Sequence, residues 1–408
     1  MRQRAWQVAV NSWTLTGFVI FSSLALPAVA QDRPIRLSID TSVVWEANVF
    51  RLPDSITDPQ LARGLTGRSD RISTTRVGIH LDKTYSQQRI TFDAEDSAIR
   101  YEKFAFLNRN AFNYRGAWQW HVTPRISGTL AIDQSETLVG FDDTRVLARN
   151  VRITRNKAVT VDGWLSGGWH LLAEMSEAEI KSTTAFAAQP DFTQTSGGIG
   201  LKYLAGSGNF LSLTQRARQG SNTGQAVDLV TFVDSGFTVR ETELAAVWNL
   251  NGKSSLIGHF TRISRHHEHV PQRNFSGYAG DLSYVWTPTG KLTVNAVASR
   301  NLIPFSADLQ TSYKLDNTLS VSPVWALSSR TSISLAAFRR TSDFLGPVIS
   351  IGSPQRRDTL QSVQLAASWS PHPKINVRAS VQRDRRRSTD STFDYDDALT
   401  NLTMALTF

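Results

Sequence analysis

Apolar and polar residues alternate along several long stretches of the chain. Over 37–45 the odd-numbered positions are mostly apolar and the even-numbered ones mostly polar, and the same period of two recurs over 111–121, 291–300 and 374–383. This period is typical of β-strands that have one polar and one apolar face. Stretches of about ten residues match membrane-spanning strands, which need ~9 to 11 residues, better than the ~5 to 6 residues usual in soluble sandwiches.

Tryptophans mark the predicted turns. Five of them are followed, five positions later, by a basic residue, in the pairs Trp120 and Arg125, Trp248 and Lys253, Trp286 and Lys291, Trp325 and Arg330, and Trp369 and Lys374. A Trp in an interfacial aromatic belt followed by a short turn predicts one rim of a transmembrane barrel. A soluble propeller also repeats near ~40 residues, but each blade needs four short strands. The last three Trp intervals, of 38, 39 and 44 residues, hold two long strands and a polar loop instead.

The number of turns predicts the number of strands. Three weaker turns are expected near 83–85, 169–172 and 203–208, which makes eight short turns, sixteen strands between them and one strand at each end. We therefore predict an all-β fold, a transmembrane antiparallel β-barrel of about 18 strands (16 to 20), with short periplasmic turns and long extracellular loops. The last strand carries an apolar face that ends at Phe408. Because this resembles the terminal signal of outer-membrane barrels, Phe408 is predicted to be an assembly signal.

The first thirty residues predict a cleaved signal peptide. A basic start precedes an apolar stretch, and Ala28-Val29-Ala30 fits the small residues of a cleavage site. Polar residues interrupt the apolar stretch below the ~20 residues that a membrane anchor, the alternative, would need. We expect a signal peptide at 1–30, a barrel at 31–408 and a location in the cell outer membrane.

Composition narrows the possible chemistry. The chain of 408 residues has no Cys, which excludes disulfide scaffolds, thiolate zinc sites and cysteine nucleophiles. Its 44 basic and 35 acidic residues give a net charge of +9, and 35 of the basic residues are Arg. Since the planar guanidinium binds carboxylate, phosphate and sulfate through two hydrogen bonds, an anionic ligand is favoured. The export signal argues against a nucleic-acid partner.

A barrel of this size encloses a water-filled lumen. The phase of the alternation predicts pore-lining candidates, with Asp40, Asp93 and Asp162 also pointing inward. The candidates are Arg76, Arg115, Lys202, Arg216, Arg218, Arg378, Asp133 and Asp281. These side chains either form an electrostatic path for anionic groups or only solvate and stiffen the wall.

The long polar connections predict what caps the channel. They lie at 50–69, 137–157, 220–236 and 345–358, and such loops commonly constrict a lumen. The basic run 383–387 lies at an outer strand end, where it either bridges phosphates of a surface glycolipid or is merely solvated.

Signals for an enzyme are poor. His266, His267 and His269 cluster in an outer loop, but without a Cys or a pair of nearby carboxylates they are interpreted as a surface cluster. We expect no catalytic residue, no metal and no cofactor, and therefore no enzyme.

Four segments carry a resemblance to a known family. They are Asn48-Val-Phe-Arg-Leu-Pro-Asp54, Ser69-Asp-Arg-Ile-Ser-Thr-Thr-Arg76, Asn113-Tyr-Arg-Gly-Ala-Trp-Gln-Trp120 and Gly167-Gly-Trp-His-Leu171. They resemble EpsL-type outer-membrane β-barrels of exopolysaccharide operons, a porin-like group associated with exosortase systems. The resemblance covers the mature chain, is most specific over 48–171, and brings no established binding or catalytic residue with it. It implies a channel or export component for an extracellular polysaccharide.

Two main functions are therefore expected from the sequence. The first is export of a polysaccharide, an anionic one given the Arg content, and the alternative is a diffusion porin for small anionic solutes. A structural or lipid-hydrolysing surface barrel is a more distant alternative. A polymer conduit needs a continuous polar wall, whereas a porin more often has a tight charged constriction. The expected partners are the polysaccharide, outer-membrane lipid, the barrel-assembly machinery, and periplasmic and inner-membrane proteins of polysaccharide synthesis and export.

Overall fold

The computed structural model describes most of the chain after the predicted signal peptide. The described residues are 34–56, 67–143, 147–183, 191–222, 227–229, 232–305, 311–346 and 355–408. The signal peptide predicted at 1–30 lies outside them.

Long β-strands make up almost all of the described structure. Three short 3₁₀ helices, Ala105–Leu107, Pro271–Arg273 and Ser391–Phe393, lie in the connections, and no helix of the described residues is long and apolar enough to cross a membrane. The strands are β1 (Ile35–Glu46), β2 (Asp70–Tyr85), β3 (Gln88–Tyr101), β4 (Arg109–Thr123), β5 (Ile126–Leu138), β6 (Val151–Ser166), β7 (Trp169–Ser182), β8 (Phe192–Leu204), β9 (Phe210–Asn222), β10 (Gly236–Asn251), β11 (Ser254–His267), β12 (Phe275–Thr289), β13 (Leu292–Pro304), β14 (Tyr313–Ala326), β15 (Thr331–Leu345), β16 (Arg357–His372), β17 (Ile375–Ser388) and β18 (Tyr395–Thr407).

The eighteen strands form one closed antiparallel sheet. Each strand pairs with its neighbours in sequence, and β1 pairs with both β2 and β18, so that Ser38 lies opposite Gly78 on one side and Thr407 on the other. Closure leaves no strand edge unpaired, which the hydrocarbon core of a membrane requires. The predicted fold class is confirmed, including eight short turns at one end and long loops at the other.

The two faces of the wall have opposite chemistry. Outward positions carry exposed apolar side chains, such as Val77 (56% exposed) and Leu213 (52%), whereas inward positions are mostly polar or charged. Such a surface would be unstable in water but suits lipid outside and water inside. The belt tryptophans Trp248, Trp325 and Trp369 face outward near the short-turn end, as their spacing predicts.

Phe408 lies where the barrel closes. Its backbone N–H donates to the Leu37 carbonyl at 2.8 Å, the Leu37 N–H donates back to the Phe408 carbonyl at 3.3 Å, and its ring is 52% exposed. Its role as an assembly signal stays a prediction.

Candidate functional site

The charged residues singled out from the sequence occupy inward positions of the wall. In β2, the Nε of Arg76 lies 3.4 Å from the Glu95 carboxylate, and Asp40 is its register partner in β1. In β4, Arg115 lies opposite Asp93 and has no carboxylate oxygen of a described residue within 4 Å. Whether these side chains line a route for solute stays a prediction.

The remaining candidates differ in whether they have a charged partner. Lys202 contacts Asp162, Arg216 contacts Glu174 and Glu241, and Arg218 also contacts Glu241, so these cations are neutralised locally. Of the two acidic candidates, Asp281 lies 3.1 Å from His259, and Asp133 accepts a hydrogen bond from the Asn156 amide at 2.8 Å. Arg378, near the short-turn end of β17, forms no ion pair with any described residue.

Unpaired cations outnumber unpaired carboxylates on the inner wall. Among inward positions of the described strands, six carboxylates have no Lys or Arg within 4 Å: Asp40, Asp70, Asp93, Asp133, Asp281 and Asp384, of which Asp93 and Asp281 contact only a histidine. Seven arginines have no carboxylate oxygen within that distance: Arg36, Arg109, Arg115, Arg152, Arg265, Arg340 and Arg378. Two of these seven are enclosed by the protein, because Arg152 is only 8% exposed and Arg265 stacks on Phe237 at 3.5 Å.

The loop between β5 and β6 crosses the mouth of the barrel. It leaves β5 at Leu138, yet Asp142 accepts a hydrogen bond from the Tyr395 hydroxyl of β18 at 2.8 Å, and the Asp142 carbonyl accepts one from Arg386 of β17 at 2.8 Å. Those strands are five to seven strands away from β5 and β6 around the eighteen-stranded barrel. We call the described residues of this connection, 139–143 and 147–150, the mouth loop.

Asp143 fixes the tip of the mouth loop. Its carboxylate lies 2.8 Å from Arg386, 2.9 Å from Arg356 and 3.4 Å from Lys314. Lys314 belongs to β14, which is eight strands from β6 in one direction and nine from β5 in the other, so this contact spans the barrel. Asp358 shares Arg356 and Arg386 with Asp143.

Electrostatics hold Asp143 in its charged form. Burial alone raises the pKa of its carboxyl, but the charges of Lys314, Arg386 and Arg356 outweigh burial and hold the pKa well below its usual 3.8. The Asp143 side chain is 20% exposed and that of Arg386 only 6%, so water screens these contacts weakly.

Apolar packing holds the base of the mouth loop. Phe141 is 5% exposed and packs edge-on against Phe50, with 5.0 Å between the ring centroids. Phe50 belongs to the β1–β2 loop, and Phe104 and Leu107, from the β3–β4 connection, complete the same cluster. The first three loops thus form one packed unit at the mouth.

A second element narrows the mouth from the opposite side. The backbone pairing between β12 and β13 ends at Gly280 and Arg300, although both strands continue toward the loops. Beyond this point Leu302 packs over the inner face of β12, where a Cβ on Gly277 would lie 2.7 Å from its Cδ2. Leu302 joins a buried cluster that also contains Phe237, Ile263, Phe275 and Leu315. The end of the β13–β14 hairpin therefore leans into the lumen.

The leaning hairpin leaves a seam in the wall. At its lower end, the Arg300 Nε donates to the Tyr278 carbonyl at 3.2 Å, and its Nη1 donates to Asn317 at 3.2 Å. The guanidinium thus satisfies a backbone carbonyl next to the point where strand pairing stops.

The two elements meet at one ion pair. Lys314 of the leaning hairpin contacts Asp143 of the mouth loop, and Arg356 stacks on Phe344 at 4.1 Å beside them.

The sequence located this loop but missed its partners. The connection at 137–157 is one of four long loops expected to constrict or cap the channel, and the sequence does not indicate which of them does so. Nothing in the sequence links Asp143 to Lys314, Arg356 or Arg386. The adjacent Asp142 and Asp143 in a long polar loop were the available signal. Of the other expected loops, large parts lie outside the described residues.

The histidine cluster separates in the structure. His266 contacts Ser264, whereas the Nδ1 of His269 lies 3.0 Å from Asp234. No group of three or more metal-ligating side chains occurs among the described residues. Burial alone raises the pKa of Asp234, but four hydrogen bonds to its carboxylate, from the His269 ring and from the backbone of His269, Val270 and Gly236, outweigh burial and hold the pKa below its usual value.

Solved structures of similar fold include several outer-membrane proteins. The chain is 8% identical to OccK9 (OpdG) of Pseudomonas aeruginosa with a TM-score of 0.50, over 92% of this chain and 98% of that one. OccK3 (OpdO) of the same organism is 12% identical with a TM-score of 0.49, over 92% and 95%. The alcaligin receptor FauA of Bordetella pertussis is 11% identical with a TM-score of 0.42, over 93% and 77%. Identities this low reflect the fold alone.

No family model and no curated protein matches the chain. The resemblance to EpsL-type barrels therefore has no support beyond the residues that suggested it. The fold and the apolar outer surface define the class of this protein. It is a porin-like β-barrel of the cell outer membrane.

Proposed function

We propose that the protein is a diffusion channel for small anionic solutes. The observation that carries the proposal is the contact of Asp143 with Lys314 across the lumen. A loop fixed at its far end turns a wide barrel into a constricted one. Constriction suits solutes of a few heavy atoms and obstructs a polysaccharide, which needs a continuous open path.

Anchoring supports a permanent constriction. The mouth loop is held at its base by Phe141 and at its tip by three cations. A polymer would have to break the ion pairs and displace the leaning hairpin. This geometry favours the porin alternative over polysaccharide export.

The charges of the inner wall support preference for anions. Arg115, Arg340 and Arg378 face the lumen at different heights without an ion-pair partner among the described residues. A guanidinium meeting a carboxylate at ~4 Å in a watery lumen contributes about 1 kcal/mol, or about fivefold in local concentration. Several such positions in series would raise the anion concentration without binding any solute tightly enough to stop it.

Conductance in planar bilayers tests the proposal. We expect a reversal potential of the sign that indicates anion selectivity under a potassium chloride gradient. Replacing Arg115, Arg340 and Arg378 by Gln should lower the chloride-to-potassium permeability ratio several-fold. Arg155→Gln, on the lipid face, is the control and should leave the ratio unchanged. Cation selectivity of the wild type would refute the proposal.

Export of a polysaccharide is tested separately in cells. If the gene is deleted, a channel for small anions predicts normal surface polymer and slower uptake of small carboxylates. Loss of surface polymer with its precursor held in the periplasm would instead support the export function.

A further inference from the structure

Four arginines repeat at a fixed distance from the belt tryptophans. The pairs are Trp248 and Arg262, Trp286 and Arg300, Trp325 and Arg339, and Trp369 and Arg383, and every pair is 14 residues apart. We call these four residues the arginine belt. They lie on β11, β13, β15 and β17, which all run from the short turns toward the loops.

The barrel register places the belt at one height. Each Trp pairs with a residue of the next strand, respectively Leu256, Val294, Ile333 and Val377, and the arginine follows six residues later on the same outward face. Six residues at ~3.3 Å each, on a strand tilted by ~40°, rise about 15 Å above the tryptophans.

That height lies in the outer half of the lipid band. The apolar band of such barrels is ~25 Å tall, so the belt Cα atoms lie about 10 Å below its outer boundary. An arginine extends its charged end toward water while its stem stays in lipid, so the belt guanidinium groups point toward the outer-leaflet headgroups. Arg385 and Arg387 continue outward on β17 above Arg383.

Neighbouring arginines of the belt are close enough to contact the same large lipid headgroup. Arg383 pairs in register with Val363, which pairs with Ala337, two residues below Arg339. Two strand spacings and two residues correspond to about 12 Å between neighbouring Cα atoms. Adjacent guanidinium groups can thus contact two groups of the same molecule.

No carboxylate neutralises the belt. All four side chains are exposed, and none has a carboxylate oxygen of a described residue within 4 Å. Several outward cations elsewhere on the barrel are paired, for example Arg155 with Glu179 and Lys157 with Glu177. On the belt side, the outward carboxylates Asp343 and Asp396 pair with Arg357, Arg385 and Arg387 instead, which leaves the four belt residues without an anion.

We propose that the arginine belt binds the phosphate groups of the phosphorylated glycolipid of the outer leaflet. A guanidinium binds phosphate through two parallel hydrogen bonds and gives up its hydration more readily than an ammonium. A bilayer-facing cation needs such a partner, because lipid tails supply no anion. The outward position at the loop end means that the phosphate must come from an outer-leaflet lipid.

The experiment compares binding of lipid A with binding of its dephosphorylated form to the detergent-purified barrel, by native mass spectrometry. We expect the wild type to prefer the phosphorylated form at least tenfold. The variant carrying Arg262→Gln, Arg300→Gln, Arg339→Gln and Arg383→Gln should lose that preference. A control carrying Arg71→Gln, Arg100→Gln, Arg155→Gln and Lys157→Gln removes four outward cations elsewhere and should keep it.

A fifth position tests the geometry. Trp120 belongs to the same series, but the residue 14 positions later is Gln134. Because Gln134 faces outward on β5, Gln134→Arg should add a binding position and raise the number of lipid A molecules retained.

Three outcomes would overturn the proposal. They are equal binding of both lipid forms by the wild type, an equal loss in the control, and competition by phosphatidylglycerol as strong as that by lipid A. The fourfold variant must show the heat-modifiable migration of a folded barrel. If it does not, the preference of the wild type for phosphorylated over dephosphorylated lipid A still tests the proposal.

Discussion

Asp143 is the residue whose removal should change the channel most. In Asp143→Asn the side chain keeps its shape but loses its charge, so the contacts to Lys314, Arg356 and Arg386 lose their electrostatic attraction. Since these contacts join the mouth loop to the opposite wall, the loop should leave the mouth for a larger fraction of the time.

The structure sets the size of the effect. Removing one partner of a buried ion pair costs about 3–5 kcal/mol, and exposed pairs contribute at most ~1 kcal/mol. The Asp143 side chain is 20% exposed, and Asp358 still neutralises Arg356 and Arg386 in the variant. We therefore expect about 2–3 kcal/mol, which shifts the equilibrium of loop release by about 30- to 150-fold.

Single-channel recording measures this shift. Asp143→Asn should show larger or more frequent high-conductance states than the wild type. Asp142→Asn is the matched control, because the backbone carbonyl that accepts from Arg386 is unchanged and the amide oxygen can still accept from the Tyr395 hydroxyl, so that only the contact with Arg51 at 4.0 Å loses its charge. Equal conductance in the wild type and in Asp143→Asn would refute the view that this ion pair holds the constriction.

Acidification gives a second check on the same contact. The pKa of Asp143 is lower in the folded protein than its usual 3.8, so its stabilising contribution is fully present above that value and is lost only as the pH falls toward the lower one. Titration of Asp143 should therefore not change the wild-type conductance between about pH 7 and pH 5. A loop released near pH 6 would mean that another titrating group controls it.

Three further substitutions test the barrel itself. Phe408→Asp should lower outer-membrane abundance in cell fractionation, and wild-type abundance would count against the terminal-signal interpretation. Gly277→Leu should push Leu302 away from the inner face of β12 and raise conductance; an unchanged channel would argue against the leaning hairpin. Arg300→Leu should lower the thermal unfolding temperature more than Arg339→Leu, because only Arg300 satisfies a carbonyl at the seam, at a cost of about 1–3 kcal/mol. Equal losses would contradict that assignment.

Much of the wall could be predicted from the sequence because its interactions are local. Alternation fixes which side chains share a face, and a turn fixes which strands pair, so that Trp248 and Lys253 locate a hairpin without any knowledge of the remaining chain. One-residue errors of register would have reversed every inward assignment, and a lipid-facing Arg at the membrane centre costs about 2–4 kcal/mol. That cost explains why Arg115 and Arg378 occupy inward positions.

The constriction could not be predicted in the same way. Asp143 is 243 residues from Arg386 in sequence, and their contact depends on where a loop without period or register ends. Likewise, Leu302 continues the outward phase of β13, so the pattern predicts contact with lipid, while the leaning hairpin buries it to 8% exposed. Loop-borne contacts follow from packing among several connections rather than from any one segment.

The seam connects the constriction with the lipid-facing surface. Where β13 leaves β12, Tyr278 has no strand partner in β13, and an unsatisfied carbonyl in hydrocarbon costs several kcal/mol. Arg300 satisfies it, but a guanidinium bonded to a neutral carbonyl keeps its full charge and so still requires an anion. A phosphate held at the arginine belt would supply that anion at the point from which the hairpin leans inward. If the belt binds lipid as proposed, Arg300 is the side chain that contacts both the bound phosphate and the point from which the hairpin leans inward.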